Sequence, residues 1–385
     1  MTKRKSILCI VPLPPPVTGA ALASETVINF LKHHHDVTVV PYQRGNLVSG
    51  KFSLNQLIKS IIIGIKLKFI RKKYDSVYLV NSSSLWGNKR DIFFLLMMGK
   101  DLRRKTVLHR HGANFAKYIN EASFPVRFLN KKMLGEVKNA IVLGETLSDI
   151  FDGYIQKDKI KIVNNFYSSA LLIPDGRFKA KYNDINKVSI LFLSNLIKEK
   201  GYKLLLDVFL SLPNDIANRA EIHFAGEIFS AKEKACFLDR LRGRTNIFYH
   251  GPVTGKKKQE LLWDAHIFCL PTVYKFEGQP IALLESYVSG CIALITQNGG
   301  IKDIFVDSKN GLALDVSFNI DLPKVIERTR RELDKKLRVL IMDINKYKHI
   351  ADFNRGEAMN KYTEVSYCRN VEKILIGENE VQMES

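Results

Sequence analysis

Glu277 and Glu285 stand eight positions apart, with Gly278, Pro280 and the apolar run Ile281-Ala282-Leu283-Leu284 between them. Two carboxylates at a shared site could bind hydroxyl groups or handle protons. Two solvated surface charges would explain the spacing equally well, since most Glu residues are exposed. The neighbourhood decides between these. Gly278 and Pro280 suit a turn, and Pro is tolerated in a first helical turn because it has no N–H to leave unpaired. The pattern predicts Glu277 on a loop and Glu285 inside a helix over about 280–289, closed by Gly290.

The flanking elements give that loop its place. Residues 265–270 form a short apolar run that ends at Pro271, and residues 291–296 form another. Both read as buried strands. The order strand, loop, helix, strand sets Glu277 at the carboxyl end of a parallel strand, where open α/β sheets bind ligands. The free amides at the start of the helix suit an anion such as phosphate. Asn298-Gly299-Gly300-Ile301-Lys302-Asp303 follows the second strand and offers another such turn.

The same period runs through the chain. In the first half, residues 7–11, 37–40, 77–80, 107–110, 140–143 and 160–163 read as strands. Gly19 closes a Pro-rich loop after the first strand and could let backbone amides approach a phosphate. There is no G-x-G-x-x-G and no Walker sequence. His33-His34-His35 reads as a polar helix end, since no partner ligand is evident. His109 and His111 share one side if their strand persists. Residues 168–186 lack a clear period, contain Pro174-Asp175-Gly176, and read as a linker. The strand–helix pattern then restarts at 188–193, with the loop 194–201 carrying Asn195 and Lys200 before a helix over 202–210. A lysine ammonium there fits a diphosphate contact. Residues 321–347 read as a long charged helical stretch, 355–374 as a last helix, and 378–385 as a frayed tail.

Composition bounds the partners. The chain has 385 residues and a formal net charge of +20. Residues 1–167 carry 27 Lys and Arg against 11 Asp and Glu, and residues 51–110 alone carry 14 against 3. A basic half implies an anionic partner, whether a phospholipid surface, nucleic acid or a phosphorylated substrate. The helix expected over 57–74 puts its apolar positions on one face among lysines, as membrane-surface helices do, although any helix packed on a sheet also needs one apolar face. No apolar run approaches the ~18 residues of a membrane span. The basic start followed by 7–11 is too short for a secretory leader and reads as a first core strand. The five cysteines have no metal or redox spacing, which fits a reducing cytoplasm.

The stretch from Glu277 to Gly290, with Asn298-Gly299-Gly300 behind it, resembles the donor-site signature of retaining glycosyltransferases of family 4, the group 1 glycosyltransferases. The likeness is good over most of 187–376 and loose over 1–167. His111-Gly112 is similar to a His-Gly of that family, and Asn164-Asn165-Phe166 resembles its exit loop. Ser194-Asn195-Leu196 with Lys200-Gly201 matches its Gly-Arg-Leu…Lys-Gly loop, except that Asn195 stands where the family has Arg. Gly19-Ala20 matches its Gly-Gly turn in part.

The resemblance implies an α/β GT-B fold, two Rossmann-like domains facing across a cleft. The domains are expected as 1–167 for the acceptor, 187–350 for the nucleotide sugar, and 351–377 as a terminal helix crossing back. It implies Glu277 and His111 as catalytic residues that contact the donor sugar, and Glu285 as the ribose ligand. Gly19, Asn195, Lys200, Gly278, Gln279, Pro280, Gly299 and Gly300 would complete the donor site. No Asp-x-Asp occurs, so metal-independent transfer without a cofactor is expected, from a UDP- or GDP-sugar. The basic half points to a lipid-linked saccharide acceptor, such as a polyprenyl diphosphate, at the cytoplasmic membrane face, in surface polysaccharide assembly such as O-antigen or capsule. Two other readings fit less of the pattern. A sugar-nucleotide epimerase would share the double fold. A nucleic-acid-binding protein would use the basic half, but aromatic residues are not interleaved with it as stacking platforms require.

Overall fold

A computed structural model describes residues 4–42, 53–70, 72–82, 84–183, 185–316, 318 and 321–377. The chain divides into two compact units. Unit 1 comprises residues 1–165, 276–279 and 364–385, and unit 2 comprises 166–275 and 280–363. The tail expected over 378–385 lies outside the described residues.

Unit 1 has six parallel strands: β1 (Ser6–Val11), β2 (Asp36–Pro41), β3 (Ser76–Asn81), β4 (Thr106–Arg110), β5 (Asn139–Val142) and β6 (Ile160–Ile162). Their order is β2-β1-β3-β4-β5-β6. Strands such as Val77–Val80 are buried on both faces, which is why they read as continuous apolar runs rather than alternating ones. The helices are α1 (Gly19–His34), α2 (Leu54–Lys68), α3 (Leu85–Met97), α4 (Gly99–Arg104), α5 (Phe115–Asn120) and α6 (Phe124–Gly135). The order reverses at β1, so β1 and β3 leave a crevice at their carboxyl ends. A pocket of about 250 Å³ is lined by Pro12, Pro16 and Thr18 after β1, Tyr42 after β2 and Gln56 of α2, among others.

Unit 2 repeats the plan with β7 (Val188–Leu193), β8 (Ala220–Ala225), β9 (Ile247–Tyr249), β10 (Ile267–Leu270), β11 (Ile292–Thr296) and β12 (Gly311–Leu314). Their order is β12-β11-β10-β7-β8-β9, all parallel. This is the doubly wound order, with its switch point between β7 and β10. Its helices are α7 (Asp175–Lys181), α8 (Tyr202–Leu210), α9 (Asn214–Ala217), α10 (Ala231–Leu241), α11 (Gly255–Asp264), α12 (Ile281–Val288), α13 (Leu322–Met342) and α14 (Lys348–Lys361). The last helix, α15 (Glu364–Ile376), belongs to unit 1, where it packs on α1 and β3.

Three boundaries differ from the sequence reading. The helix expected over 57–74 spans Leu54–Lys68. Residues 168–186 are not a bare linker, because α7 lies within them and Phe178 and Tyr182 are buried in the unit 2 core. Their apolar residues are too sparse to show a period. The terminal helix expected over 351–377 is two helices that break at Tyr362-Thr363. There the backbone turns to bonding: Tyr167 N–H donates to the Tyr362 carbonyl at 3.0 Å, inside unit 2.

Candidate functional site

In unit 2, three loops converge at the carboxyl ends of β7, β10 and β11. The loop after β7 ends in a tight turn over Lys198–Lys200, closed by Gly201 at φ +83°. Only glycine adopts that conformation without strain, and a Cβ there would also strike the Pro271 carbonyl. Val273 N–H donates to the Glu199 carbonyl at 2.8 Å, fastening the β7 loop to the β10 loop. The Lys200 ammonium lies 6.0 Å from the centre of the Tyr274 ring. The Asn298 side-chain amide donates to the Tyr274 carbonyl at 2.6 Å, and Thr296 Oγ1–H donates to the Thr272 carbonyl at 2.5 Å. Asn298 caps the short 3-10 helix Gly299–Asp303. Lys200, Tyr274 and the amides of Gly299 and Gly300 therefore share one edge of the sheet. A cation and helix-start amides so placed suit a diphosphate.

Pro280 is the N-cap of α12, and Glu285 lies in its second turn, 3% exposed. Its carboxylate is held by Lys258 of α11, with Nζ 2.6 Å from Oε1. Asn195 follows β7 by two residues and is half-buried.

The other half of the signature belongs to unit 1. Glu277 and Gln279 are buried there, 5% and 4% exposed. Gly278 backs onto the His111 main chain, so that a Cβ would sit 2.5 Å from the His111 carbonyl oxygen. Gln279 is fully engaged by the strand-exit loop. Its Oε1 accepts from Asn165 N–H at 2.9 Å, its Nε2–H donates to Asn164 Oδ1 at 2.9 Å, and its carbonyl accepts from the Asn165 amide at 2.7 Å. The Gln279 side chain is thus an anchor for the loop that carries Glu277. Gly19 begins α1, whose cap is Thr18, the acceptor for Ala21 N–H.

His111 is stacked on His109, with ring centres 4.2 Å apart and planes 27° apart. Burial pushes the His109 imidazole down to about 3 and the Tyr78 hydroxyl well above its ordinary value. The Tyr78 hydroxyl and His109 Nδ1 are hydrogen-bonded at 2.8 Å, between a neutral phenol and a neutral imidazole. Arg110, between the two histidines, is 1% exposed. Its guanidinium donates to Asn81 Oδ1, to the Ser82 carbonyl at 2.7 Å, to Asn114 Oδ1 at 3.0 Å and to the Gly112 carbonyl at 3.0 Å. It fixes the course of the His111-Gly112 loop.

Sequence reasoning missed Arg110, Tyr274 and Lys258, and it missed the partnership of Asn164 and Asn165 with Gln279. Asn164-Asn165 was legible as a loop, but nothing in its pattern names a partner 114 positions away. Among the described residues, no group of three His, Cys, Asp or Glu is placed to hold a metal ion.

Residues 177–335 match the family model of the glycosyl transferases group 1. An uncharacterized glycosyltransferase of Methanocaldococcus jannaschii is 21% identical over 225 residues, 55% of this chain and 56% of that protein. The chain thus spans little more than half the length of this curated relative. The structure of Anabaena HepE in complex with UDP and glucose is similar at 14% identity and TM-score 0.68, over 97% of this chain and 99% of that one. WaaG, a glycosyltransferase involved in lipopolysaccharide biosynthesis, is similar at 14% identity and TM-score 0.68, over 97% and 100%. The likeness to the glycosyl transferases group 1 is thus carried by residues 177–335, on a chain with the α/β GT-B fold.

Proposed function

We propose that the chain is a retaining glycosyltransferase that moves a sugar from a UDP- or GDP-sugar to a saccharide acceptor without a metal ion. The carrying observation is the convergence of Lys200, Tyr274 and the Gly299-Gly300 turn at the switch point of unit 2, inside the matched region. A leaving diphosphate needs its charge stabilised by groups already in place. Lys200 and the amides at Gly299 and Gly300 supply that, and Glu285 takes the ribose hydroxyls. Glu277 and His111 bind the donor sugar and orient its anomeric carbon. The acceptor hydroxyl attacks that carbon on the face from which the diphosphate departs. The bond from the carbon to the diphosphate oxygen breaks, and the hydroxyl proton passes to the leaving phosphate.

The acceptor in this reading is a lipid-linked saccharide used in surface polysaccharide assembly, met by a peripheral enzyme on the inner membrane face. The likeness to WaaG supports it. So does the outer surface of α2, where Leu57, Ile58, Ile61, Ile62 and Ile65 are exposed among Lys59, Lys66 and Lys68. Among the described residues no helix is long and apolar enough to cross a membrane. Calorimetry with UDP and GDP in EDTA tests the donor site. One of the two is expected to bind at micromolar concentration and to be lost in Glu285→Ala. Binding of neither, or binding untouched by the substitution, would remove the donor-site reading. Interconversion of donor sugars with no acceptor present would favour an epimerase instead.

A further inference from the structure

The helix α11 carries three consecutive lysines, Lys256, Lys257 and Lys258. The third is ion-paired. Its ammonium lies 2.6 Å from Glu285 Oε1, with the lysine side chain 18% exposed and the glutamate side chain 4% exposed. Among the described residues, Lys258 is the side chain that hydrogen-bonds this carboxylate. A buried carboxylate without a partner is strongly disfavoured in its charged form. The pair leaves Oε2 without a protein hydrogen bond among the described residues.

We propose that Lys258 is a positioning residue for ribonucleotide recognition, holding the Glu285 carboxylate fixed so that it accepts the hydroxyls of a ribose. The proposal rests on Glu285 being the ribose ligand. It adds a specificity that follows from charge and geometry. A carboxylate pinned through one oxygen presents the other to a ribose hydroxyl as a fixed acceptor. A nucleotide lacking that hydroxyl leaves the buried charge short of a donor and is rejected by more than one lost contact. Lys258 therefore sets the preference for ribo- over 2′-deoxyribonucleotides. The lysine is a point charge, so its role depends on charge and reach rather than on a planar fork.

The probes are UDP and 2′-deoxy-UDP, or the GDP pair if GDP is the nucleotide that binds, titrated into the full chain by calorimetry. Wild type is expected to favour the ribonucleotide by at least tenfold. Lys258→Met is expected to weaken ribonucleotide binding about tenfold or more and to bring the ribo-to-deoxy ratio close to one. Lys258→Arg keeps the charge and is expected to restore most of the ratio. A merely structural ion pair would lower thermal stability and leave the ratio unchanged. Because Lys258→Met strands a buried charge, the pair Lys258→Met with Glu285→Gln supplies a second arm. That double variant is expected to fold and to show the same low ratio as Glu285→Gln alone. An unchanged ratio in folded Lys258→Met, or tighter binding than wild type, overturns the proposal. If Glu285→Ala leaves binding intact, it is the ribose assignment itself that fails, and that outcome is told apart because it does not involve Lys258 at all.

Discussion

The carbonyl oxygen of His111 lies against Gly278 with no room for a side chain between them: a Cβ on Gly278 would be 2.5 Å from that oxygen. The residue after Glu277 is thus pressed onto the residue expected to face the donor sugar, both inside unit 1. Gly278→Ala must push one of the two loops aside. The expected cost is about 1–3 kcal/mol of stability, as for overpacking generally. Transfer is expected to fall at least tenfold while UDP affinity stays within twofold, because Lys200 and Glu285 belong to the other unit. Equal losses in UDP binding and transfer would count against this division of labour.

Asn165 is buried and bonds Gln279 twice, through its own N–H and through its amide. Asn165→Ala strips one of these and leaves the Gln279 carbonyl without its donor. The expected loss is about 1–3 kcal/mol. Asn165→Asp keeps the shape but replaces the donating amide with acceptor oxygens that face a carbonyl at 2.7 Å. It is expected to be worse than alanine in transfer assays, and a milder effect than alanine would sink the idea that this clamp fixes the Glu277 loop.

How far the sequence could be read follows from where each signal lives. Central strands announce themselves because parallel strands covered on both faces are continuous apolar runs, as in Val188–Leu193. The Lys200 loop and the Gly299-Gly300 turn were legible because loops after strands gather at one sheet edge whatever their partners. The assignment of Glu277 and Gln279 to unit 1 was not. It depends on hydrogen bonds to Asn164 and Asn165, which no local pattern encodes. Lys258 was hidden in a run of three lysines, where burial of the third is decided by the facing helix α12. The linker was misjudged because α7 buries its apolar face with only Phe178, and a seven-residue helix gives too little period to see.

His109 should make the protein sensitive to mild acid. Burial holds its imidazole down at about 3, against an ordinary value of 6.5. Above pH 6.5 the ring is neutral in both folded and unfolded chains. Below that the unfolded chain takes up a proton and the folded one does not, so the stability tied to this ring is complete above pH 6.5 and is lost as the pH falls toward 3. The part lost by pH 5 is about 2 kcal/mol. His250 and His266, each pushed down to about 4 mainly by burial, act in the same sense. The measurement is therefore a difference. Urea unfolding of wild type and of His109→Phe with Tyr78→Phe is compared at pH 7 and pH 5, the second substitution removing the hydroxyl that would lose its hydrogen-bond partner. The double variant is expected to lose about 2 kcal/mol less than wild type over that interval. Parallel losses would show that His109 accepts a proton in the folded state.

The face made by α2, α3 and α6 carries the prediction about membranes. The three helices are tied together in unit 1: Gly64 of α2 packs against the Phe93 ring of α3, and Asn88 of α3 exchanges two amide hydrogen bonds with Asn130 of α6, at 2.9 and 3.1 Å. Exposed on these helices are the isoleucines of α2 and the stacked pair Phe124 and Phe128 of α6, which are 71% and 58% exposed. Neither α2 nor α6 contains an acidic residue, and the one in α3, Asp91, is buried against Arg90. Apolar side chains set among lysines suit an anionic lipid surface. The full chain is expected to co-sediment with phosphatidylglycerol vesicles at about 0.15 M salt and to bind phosphatidylcholine vesicles far more weakly. Changing Lys59, Lys66 and Lys68 to Gln is expected to reduce binding ~100-fold, at about 1 kcal/mol for each charge. Ile58→Asp with Ile61→Asp is expected to abolish it, with UDP affinity unchanged in both variants because Lys200 and Glu285, the proposed diphosphate and ribose ligands, lie in unit 2. A chain that ignores anionic vesicles but self-associates through this face, with the association lost in the Asp variant, would identify a second copy as the occupant instead of a membrane.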